Sequence, residues 1–428
     1  MRVLIAGSGA REHALAWACS WQNAHVELIC APGNGGTAMM PNATNVGVAA
    51  DDAIGIVALA RELDVKLVVI GPDAALAAGV ADACRAAGIA VFGPSASAAR
   101  IESSKIFAKN VMESAGIPTA RWASGGARNR QRLRALVDQL EGRCVVKADG
   151  LALGKGVMVC ESVADADAAI AACLDEGRFG AAGHQVLIEE RLEGAEVSVL
   201  ALTDSRNIRV LPAARDYTRV GDGDTGPNTG GMGALSPPGD VDRAFMEQVE
   251  RDVLRPCIDE LAALGAPFSG CLYAGLMLTA DGLRVLEFNA RFGDPETQVV
   301  LPILSEDVLA LLSDCAAGSL APGLAPAVEP SRAVGVVLAA AGYPATPRTG
   351  DPITGLDQLD PSILAFHAGT RREPDDSLRT AGGRVLTLVA RGASIHEARD
   401  RVYSALPGIH FEGMQHRSDI GLNEAGDR

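Results

Sequence analysis

Val146-Lys147-Ala148-Asp149-Gly150-Leu151-Ala152-Leu153-Gly154-Lys155-Gly156-Val157 is the stretch on which the reading of the chain turns. An apolar strand ends in a lysine, and a glycine-rich loop then leads into another strand. A Walker loop would run into a helix and carry Ser or Thr after its lysine, whereas Gly156 and Val157 follow Lys155 here. The stretch therefore reads as a flap whose amides and lysines cover a polyphosphate. Glycine-rich hairpins occur in many folds, so its neighbours carry the rest of the case.

About thirty residues on, Leu187-Ile188-Glu189-Glu190-Arg191-Leu192-Glu193-Gly194-Ala195-Glu196 is an apolar strand that stops in acid. Such an ending offers backbone groups to an adenine edge and a carboxylate to ribose hydroxyls, although a single glutamate there is more often a solvated turn. Arg284-Val285-Leu286-Glu287-Phe288-Asn289-Ala290-Arg291-Phe292-Gly293-Asp294-Pro295-Glu296 is more specific. Strand residues two apart share a face, so Glu287, Asn289 and Arg291 point one way while Leu286, Phe288 and Ala290 face a core. Two oxygen donors beside a guanidinium suit Mg²⁺ bridging phosphates, with the arginine steadying a transferring phosphoryl group. Gly226-Pro227-Asn228-Thr229-Gly230-Gly231-Met232-Gly233 is too glycine-rich for regular structure and lets backbone approach a ligand closely.

The first hundred residues alternate strand, turn and helix, with strands at 3–6, 26–30, 67–70 and 90–92, which predicts a doubly wound parallel sheet. Gly7-Ser8-Gly9-Ala10-Arg11-Glu12 has Glu12 where a dinucleotide fingerprint needs its third glycine, and no acidic residue ends the second strand. Arg11 at a helix start, beside Asn34-Gly35-Gly36, favours one phosphate over NAD. A second unit at 122–192 has strands at 144–147, 157–160 and 186–190 and a helix at 163–175. A third, at 193–320, has strands at 197–202 and 208–211, a long helix near 241–264, and a hairpin of 272–279 and 283–289 turned by Asp281-Gly282. A Pro/Ala linker at 321–330 precedes a last α+β unit at 331–424, with strands near 333–339 and 385–389 and a helix at 395–405; the first unit, with its connecting helix, is 1–121.

A formal charge of −15 argues against nucleic acid or an anionic membrane as partner. No apolar run reaches membrane-spanning length; residues 301–320 come nearest and are broken by Pro302, Glu306, Asp307 and Asp314. Nine cysteines without a Cys-x-x-Cys pair point to reduced thiols and a cytoplasmic protein.

In this order the motifs resemble the glycinamide ribonucleotide synthetase family of ATP-grasp ligases over essentially the whole chain. The resemblance is carried by Arg11-Glu12-His13-Ala14-Leu15, Ala31-Pro32-Gly33-Asn34, Lys147–Leu151, residues 226–233 and 287–296, Gly342-Tyr343-Pro344 and His367-Ala368-Gly369-Thr370. It implies an α/β ATP-grasp fold: an N-terminal doubly wound parallel-sheet domain, an ATP-lid domain, a central α+β catalytic domain and a small C-terminal α+β domain. It also implies that glycine is activated by ATP as glycyl phosphate and joined to 5-phosphoribosylamine. By motif, Lys105, Lys147, Gly154, Lys155 and Gly156 would contact ATP phosphates, Glu189, Glu190 and Leu192 the adenine, and Glu196 the ribose. Glu287 and Asn289 would hold Mg²⁺ or Mn²⁺, and Arg291 with Lys155 would serve the acyl-phosphate step. Gly9, Arg11, Glu12, Asn34, Gly35, Asp216, Asn228, Thr229, Gly230, Gly231, Met232, Arg291, Gly293 and Asp294 would line the glycine and phosphoribosylamine site.

The chain departs from the family pattern where Gln-Asp-His-Lys-Arg becomes Arg215-Asp216-Tyr217-Thr218-Arg219, where Gly-Pro-Glu-x-Pro-Leu becomes Gly71-Pro72-Asp73-Ala74-Ala75-Leu76, and at Ala10. The first change leaves open a paralogue acting on another amino acid or amine; a non-catalytic nucleotide-binding regulator is the reading from a different class. A monomer or weak homodimer is expected.

Overall fold

The computed structural model describes residues 1–150, 156–328 and 331–424. Five parallel strands form the first sheet, in the order Ala43–Asn45, Glu27–Pro32, Arg2–Gly7, Leu67–Ile70 and Val91–Phe92. Four were expected; Ala43–Asn45 is three residues long and too short to show a period. The inner strands are buried along their length, as parallel strands covered by helices on both faces must be. Where Arg2–Gly7 meets helix Ala10–Trp21, the Glu12 side chain folds back into the turn. A Cβ on Gly71 would stand 2.0 Å from its carboxylate and one on Gly9 2.7 Å away, so the glycines there make room for a buried acid.

The second sheet is antiparallel, in the order Trp122–Gly125, Val186–Glu190, Cys144–Ala148 and Val157–Cys160. Helix Val163–Leu174 covers it as expected. A second helix, Arg130–Gln139, was not foreseen, because only Leu133, Leu136 and Val137 of its ten residues are buried. The third sheet places Gly282–Asn289 at its edge, followed by Ser269–Thr279, Ala195–Asp204, Ile208–Val210 and Gly323–Leu324. The long helix behind it is not uniform. Arg243–Val249 and Arg255–Ala263 are joined by a π turn at Glu250–Leu254, since Pro256 has no N–H to give to the preceding turn.

The last sheet draws strands from two distant parts of the chain. Arg215–Asp216 pairs with Gly233–Ser236, which pairs with Arg332–Ala339; the sheet continues to Arg384–Gly392 and Leu364–His367, and helix Ile395–Ala405 packs on Arg332–Ala339 and Arg384–Gly392. The segment joining Arg215 to Gly233 is thereby fixed at both ends by the C-terminal sheet.

First and last units also meet at two buried histidines. The His367 amide donates to His13 Nδ1 at 2.9 Å, and the His13 ring stands edge-on to Phe366. Burial, then the neighbouring His367, pushes His13 down to about 3; burial pushes His367 down to about 4. Both lie below the ordinary histidine value of about 6.5, so the unfolded chain takes up more protons as the pH falls through that window. The stabilisation is complete above about pH 6.5 and is lost toward pH 3. Wild type should therefore exceed a His13→Gln variant in urea midpoint most at pH 7, with the gap closing by pH 4.5. A gap independent of pH would contradict the buried neutral assignment.

Candidate active site

The site grows from the edge strand Gly282–Asn289. Its pairing with Ser269–Thr279 slips between Gly275 and Leu276, so Leu286 becomes a bulge residue and is only half-buried. Leu286 thus does not join Phe288 and Ala290 in the core; Leu283 and Val285 do, because the bulge reverses the alternation. Beyond the bulge the expected face forms. Asn289 Nδ2 donates to Glu287 Oε1 at 3.3 Å, and Arg291 Nη2 donates to Asn289 Oδ1 at 3.1 Å. Glu102, unremarked in the sequence, fixes the end of this face: one oxygen pairs with Arg291 at 2.9 Å, the other accepts the Ala290 amide at 2.8 Å. Burial raises the Glu102 carboxyl, whereas for Arg291 burial is outweighed by the Glu102, Asp73 and Glu296 charges acting together, which leaves the guanidinium more firmly protonated.

Facing this strand is the lid. Lys147 is 8% exposed and ion-paired with Glu189, which is 4% exposed and also meets Lys109 at 2.5 Å. Burial works against the charge on each group. The neighbouring opposite charges win for Lys147, which is raised, and for Glu189, which is lowered; burial wins for Lys109, which is lowered. Glu189 therefore does not turn toward an adenine hinge: its carboxylate is held inward by two lysines, and its backbone sits in the ladder between two strands. The hinge expected over Glu189–Leu192 narrows to the break after Glu190, where Arg191–Gly194 lie outside any strand. Glu190 itself is tied outward to Arg121 at 3.0 Å. Lys105, at the first turn of helix Lys105–Ser114, reaches the Gly150 carbonyl at 3.2 Å, and Asp149 accepts the Ile106 amide at 3.1 Å. The N-terminal end of the flap thus lies against Lys105, and its other end pairs with the Lys147 strand through Val157; Gly154 and Lys155 lie outside the described residues. Glu196 reaches solvent within the cleft, and loss of surrounding water, then the Glu287 and Asp224 charges, raise its carboxyl.

Past the end of the strand lies a second cluster. Asp294 pairs with Arg384 at 2.9 Å and accepts from Gln298 at 2.7 Å. Arg384 also donates to the Gly230 carbonyl and, at 2.9 Å, to the Asp294 carbonyl, while the Gly230 amide donates to Tyr343 Oη at 2.9 Å. Glu296 Oε1 accepts from Tyr273 at 2.9 Å and lies 3.2 Å from Ser198 Oγ. Asp216 Oδ2 accepts from Thr218, and its Oδ1 is buried without a hydrogen-bond partner among the described residues. Burial raises both carboxyls, and for Asp216 the Glu296 charge adds to it. Gly231 closes over Asp216 so tightly that a Cβ there would meet Pro295 at 2.3 Å and Asp216 Oδ1 at 2.7 Å. Thr229 anchors the loop through the Thr218 carbonyl at 2.7 Å, and Asn228 pairs across from Arg219. The Met232 side chain is 1% exposed in the core, and its main chain belongs to the loop, bonding Tyr217 and Val337.

Arg11 also turns inward, 8% exposed, donating to Glu12 at 2.5 Å and to the Phe292 carbonyl at 3.1 Å, because buried Glu12 needs a counter-charge. Asn34 clamps Ser8 and His367 carbonyls at 2.9 and 2.6 Å, and the Gly35 amide donates to the Thr370 carbonyl at 3.1 Å. These residues brace the loop that brings Gly9 against Asp294 and Gly293 against Glu296.

Three family models match most of the chain: Phosphoribosylglycinamide synthetase, N domain, at residues 1–102; its ATP-grasp (A) domain at 103–297; and its C domain at 333–423. The chain belongs to the phosphoribosylglycinamide synthetase family. It is an ATP-grasp enzyme, 49% identical to the phosphoribosylamine–glycine ligase of Streptomyces coelicolor with both chains fully covered. It is 45% identical to that of Caulobacter vibrioides, with 98% of each covered. The crystal structure of the Thermotoga maritima phosphoribosylamine–glycine ligase superposes with a TM-score of 0.84 at 34% identity, covering 98% of this chain and 100% of that one. The biotin carboxylase domain of Hydrogenobacter thermophilus 2-oxoglutarate carboxylase, solved with magnesium ADP, shares the fold at a TM-score of 0.73 and 19% identity, over 97% and 91% of the chains.

Within this family the departures at 215–219 fall mostly on one side. Arg215 turns away to Asp240 at 2.8 Å and Glu424 at 2.6 Å, and Tyr217 lies beneath Arg417 with its hydroxyl at 3.3 Å from Glu424. Asp216 and Thr218 face the cluster with Glu296. Alternation along the segment thus sends two of the three unusual residues toward the C-terminal tail. Glu102, Lys109, Tyr273 and Arg384 were missed in the sequence; each is an ordinary residue in its local context and joins the site only through contacts far along the chain, and Tyr343, quoted within Gly342-Tyr343-Pro344, was given no site role.

Proposed function

We propose that this chain joins glycine to 5-phosphoribosylamine in the cytoplasm, with ATP as energy source and Mg²⁺ or Mn²⁺ as metal. Two observations support the compartment: all nine cysteines are free and buried, and no described helix is long and apolar enough to cross a membrane. The observation that carries the reaction is the hydrogen-bonded run of Glu287, Asn289 and Arg291 along one strand face, with Glu287 near enough for its charge to act on the Lys147 ammonium. An ATP-grasp ligase needs that set and a simple binder does not. Full-length relatives at 43 to 49% identity carrying one activity also leave the paralogue and the regulator unfavoured.

Glu287 and Asn289 fit a metal. They offer two hard oxygen donors on one strand face, Glu287 is exposed, and phosphate oxygens would supply further ligands. The bound ion would neutralise phosphate charge and so make the γ-phosphorus easier to attack. Lys147 and Lys105 hold phosphates; the break at Arg191–Gly194 offers backbone to the adenine and Glu196 a carboxylate to the ribose. Arg291, aligned by Glu102, stabilises the oxygens of the group in transfer. A glycine carboxylate oxygen bonds to the γ-phosphorus as ADP leaves. The amine of phosphoribosylamine then attacks the acyl carbon, phosphate departs with that oxygen, and the amine loses a proton. The unpartnered Asp216 oxygen beside Glu296 suits the ammonium of glycine: a buried acid pair that repels its own second charge is steadied by a cation. The Asn228–Gly231 backbone, Arg384 and Asp294 frame that pocket.

Purified protein should release ADP only when glycine and freshly generated phosphoribosylamine are supplied together. Turnover with a different amine or acid and none with this pair would overturn the reading. Glu287→Ala should keep the wild-type melting profile and lower turnover by about a thousandfold or more; unchanged turnover would remove Glu287 from the metal site. Asp216→Asn should raise the glycine KM about tenfold or more while leaving the ATP KM within about twofold, the size expected for one charged hydrogen bond. A rise in the ATP KM instead would place Asp216 elsewhere.

A further inference from the structure

Lys109 is the second of two ammonium groups on one buried carboxylate. It lies on helix Lys105–Ser114 and is 2% exposed. Its Nζ stands 2.5 Å from Glu189 Oε1, in a close ionic contact rather than a well-aligned hydrogen bond, and donates to Thr119 Oγ1 at 2.5 Å. Thr119 in turn donates to the Val285 carbonyl at 2.7 Å, on the strand that carries Glu287 and Asn289. Lys147 takes the other Glu189 oxygen. One carboxylate cannot neutralise two ammonium groups, so the buried cluster carries one uncompensated positive charge. Excess charge out of water is unfavourable until an anion arrives. Lys147 is the member on the flap strand, and Glu287 and Glu196 attract it without forming an ion pair with it among the described contacts.

We infer that Lys109 is a positioning residue for ATP: by sharing Glu189 it stops that carboxylate from fully neutralising Lys147, and so leaves the Lys147 charge available to a nucleotide phosphate. A lysine needed for packing alone would be replaceable by methionine at little cost to nucleotide binding, because apolar groups of similar volume often substitute for buried ion pairs. The inference rests on the ATP reading above and adds to it a source for the affinity of Lys147.

Charge balance supplies the test. Lys109→Met leaves Glu189 to neutralise Lys147 and brings the cluster to zero; Lys109→Met with Glu189→Gln returns it to the wild-type single positive charge. Binding of MgATP by calorimetry and steady-state KM values should show a loss of about tenfold or more in ATP affinity for the single variant, with the glycine KM within about twofold. The double variant should recover to within about threefold of wild type. A double variant no better than the single one, an unchanged ATP affinity in Lys109→Met, or equal rises in both KM values would overturn the inference. Should Lys109→Met fail to fold, Glu189→Gln alone serves: its ATP affinity should be undiminished, and a tenfold loss would refute the charge argument. Wild-type protein that binds no MgATP would overturn the proposed function itself, whereas binding wild type with variants that misbehave overturns the inference alone.

Discussion

The Glu102 carboxylate holds the end of the edge strand on which the site is built. It is buried, it pairs with Arg291, and it accepts the Ala290 amide, so it joins the N-terminal part of the chain to the catalytic sheet through both side chain and backbone. Removing it would leave a buried guanidinium whose Nε already lacks a partner among the described residues. The same logic recurs across the molecule. Arg11 answers Glu12, Lys109 and Lys147 share Glu189, and Arg384 answers Asp294. Arg11 and Glu12 are neighbours in the chain, but the other pairs cross between segments far apart and bring distant stretches of backbone to one cleft.

The two halves of that cleft differ in electrical character. The lid side holds buried cations in excess of the acid they share, which suits phosphate. The opposite side holds Asp216 and Glu296 within reach of Arg384 and Tyr273, with both acids raised by burial, which suits a substrate carrying an ammonium group. Between them runs the Glu287–Asn289–Arg291 face. Phosphoryl transfer from one side to a carboxylate held on the other would pass across that face, which is where a metal and a fixed guanidinium have most effect.

Much of this is legible in the sequence, and for definite reasons. Parallel strands followed by small residues, the Asp281-Gly282 hairpin and the helix Ile395–Ala405 are locally encoded, and they stand where periodicity put them. The Glu-x-Asn-x-Arg spacing correctly put three side chains on one face. What escaped was non-local. A bulge at Leu286 reverses the alternation without altering composition; Arg215–Asp216 and Gly233–Ser236 find their sheet a hundred residues away; and Pro256 turns one helix into two. The side chains of Glu189, Arg11 and Met232 share one feature that residue type and position did not show: burial with a counter-charge or a core contact turns each of them inward.

The central claim is that a glycine carboxylate oxygen becomes bonded to the γ-phosphorus before the amide forms. The direct measurement is isotope transfer: glycine labelled with heavy oxygen in its carboxylate is turned over with ATP and phosphoribosylamine, and the released phosphate is analysed by mass. One labelled oxygen per phosphate is the expected result. Unlabelled phosphate, with both labelled oxygens absent from it after full turnover, would contradict an acyl-phosphate route and with it the assignment of this cleft.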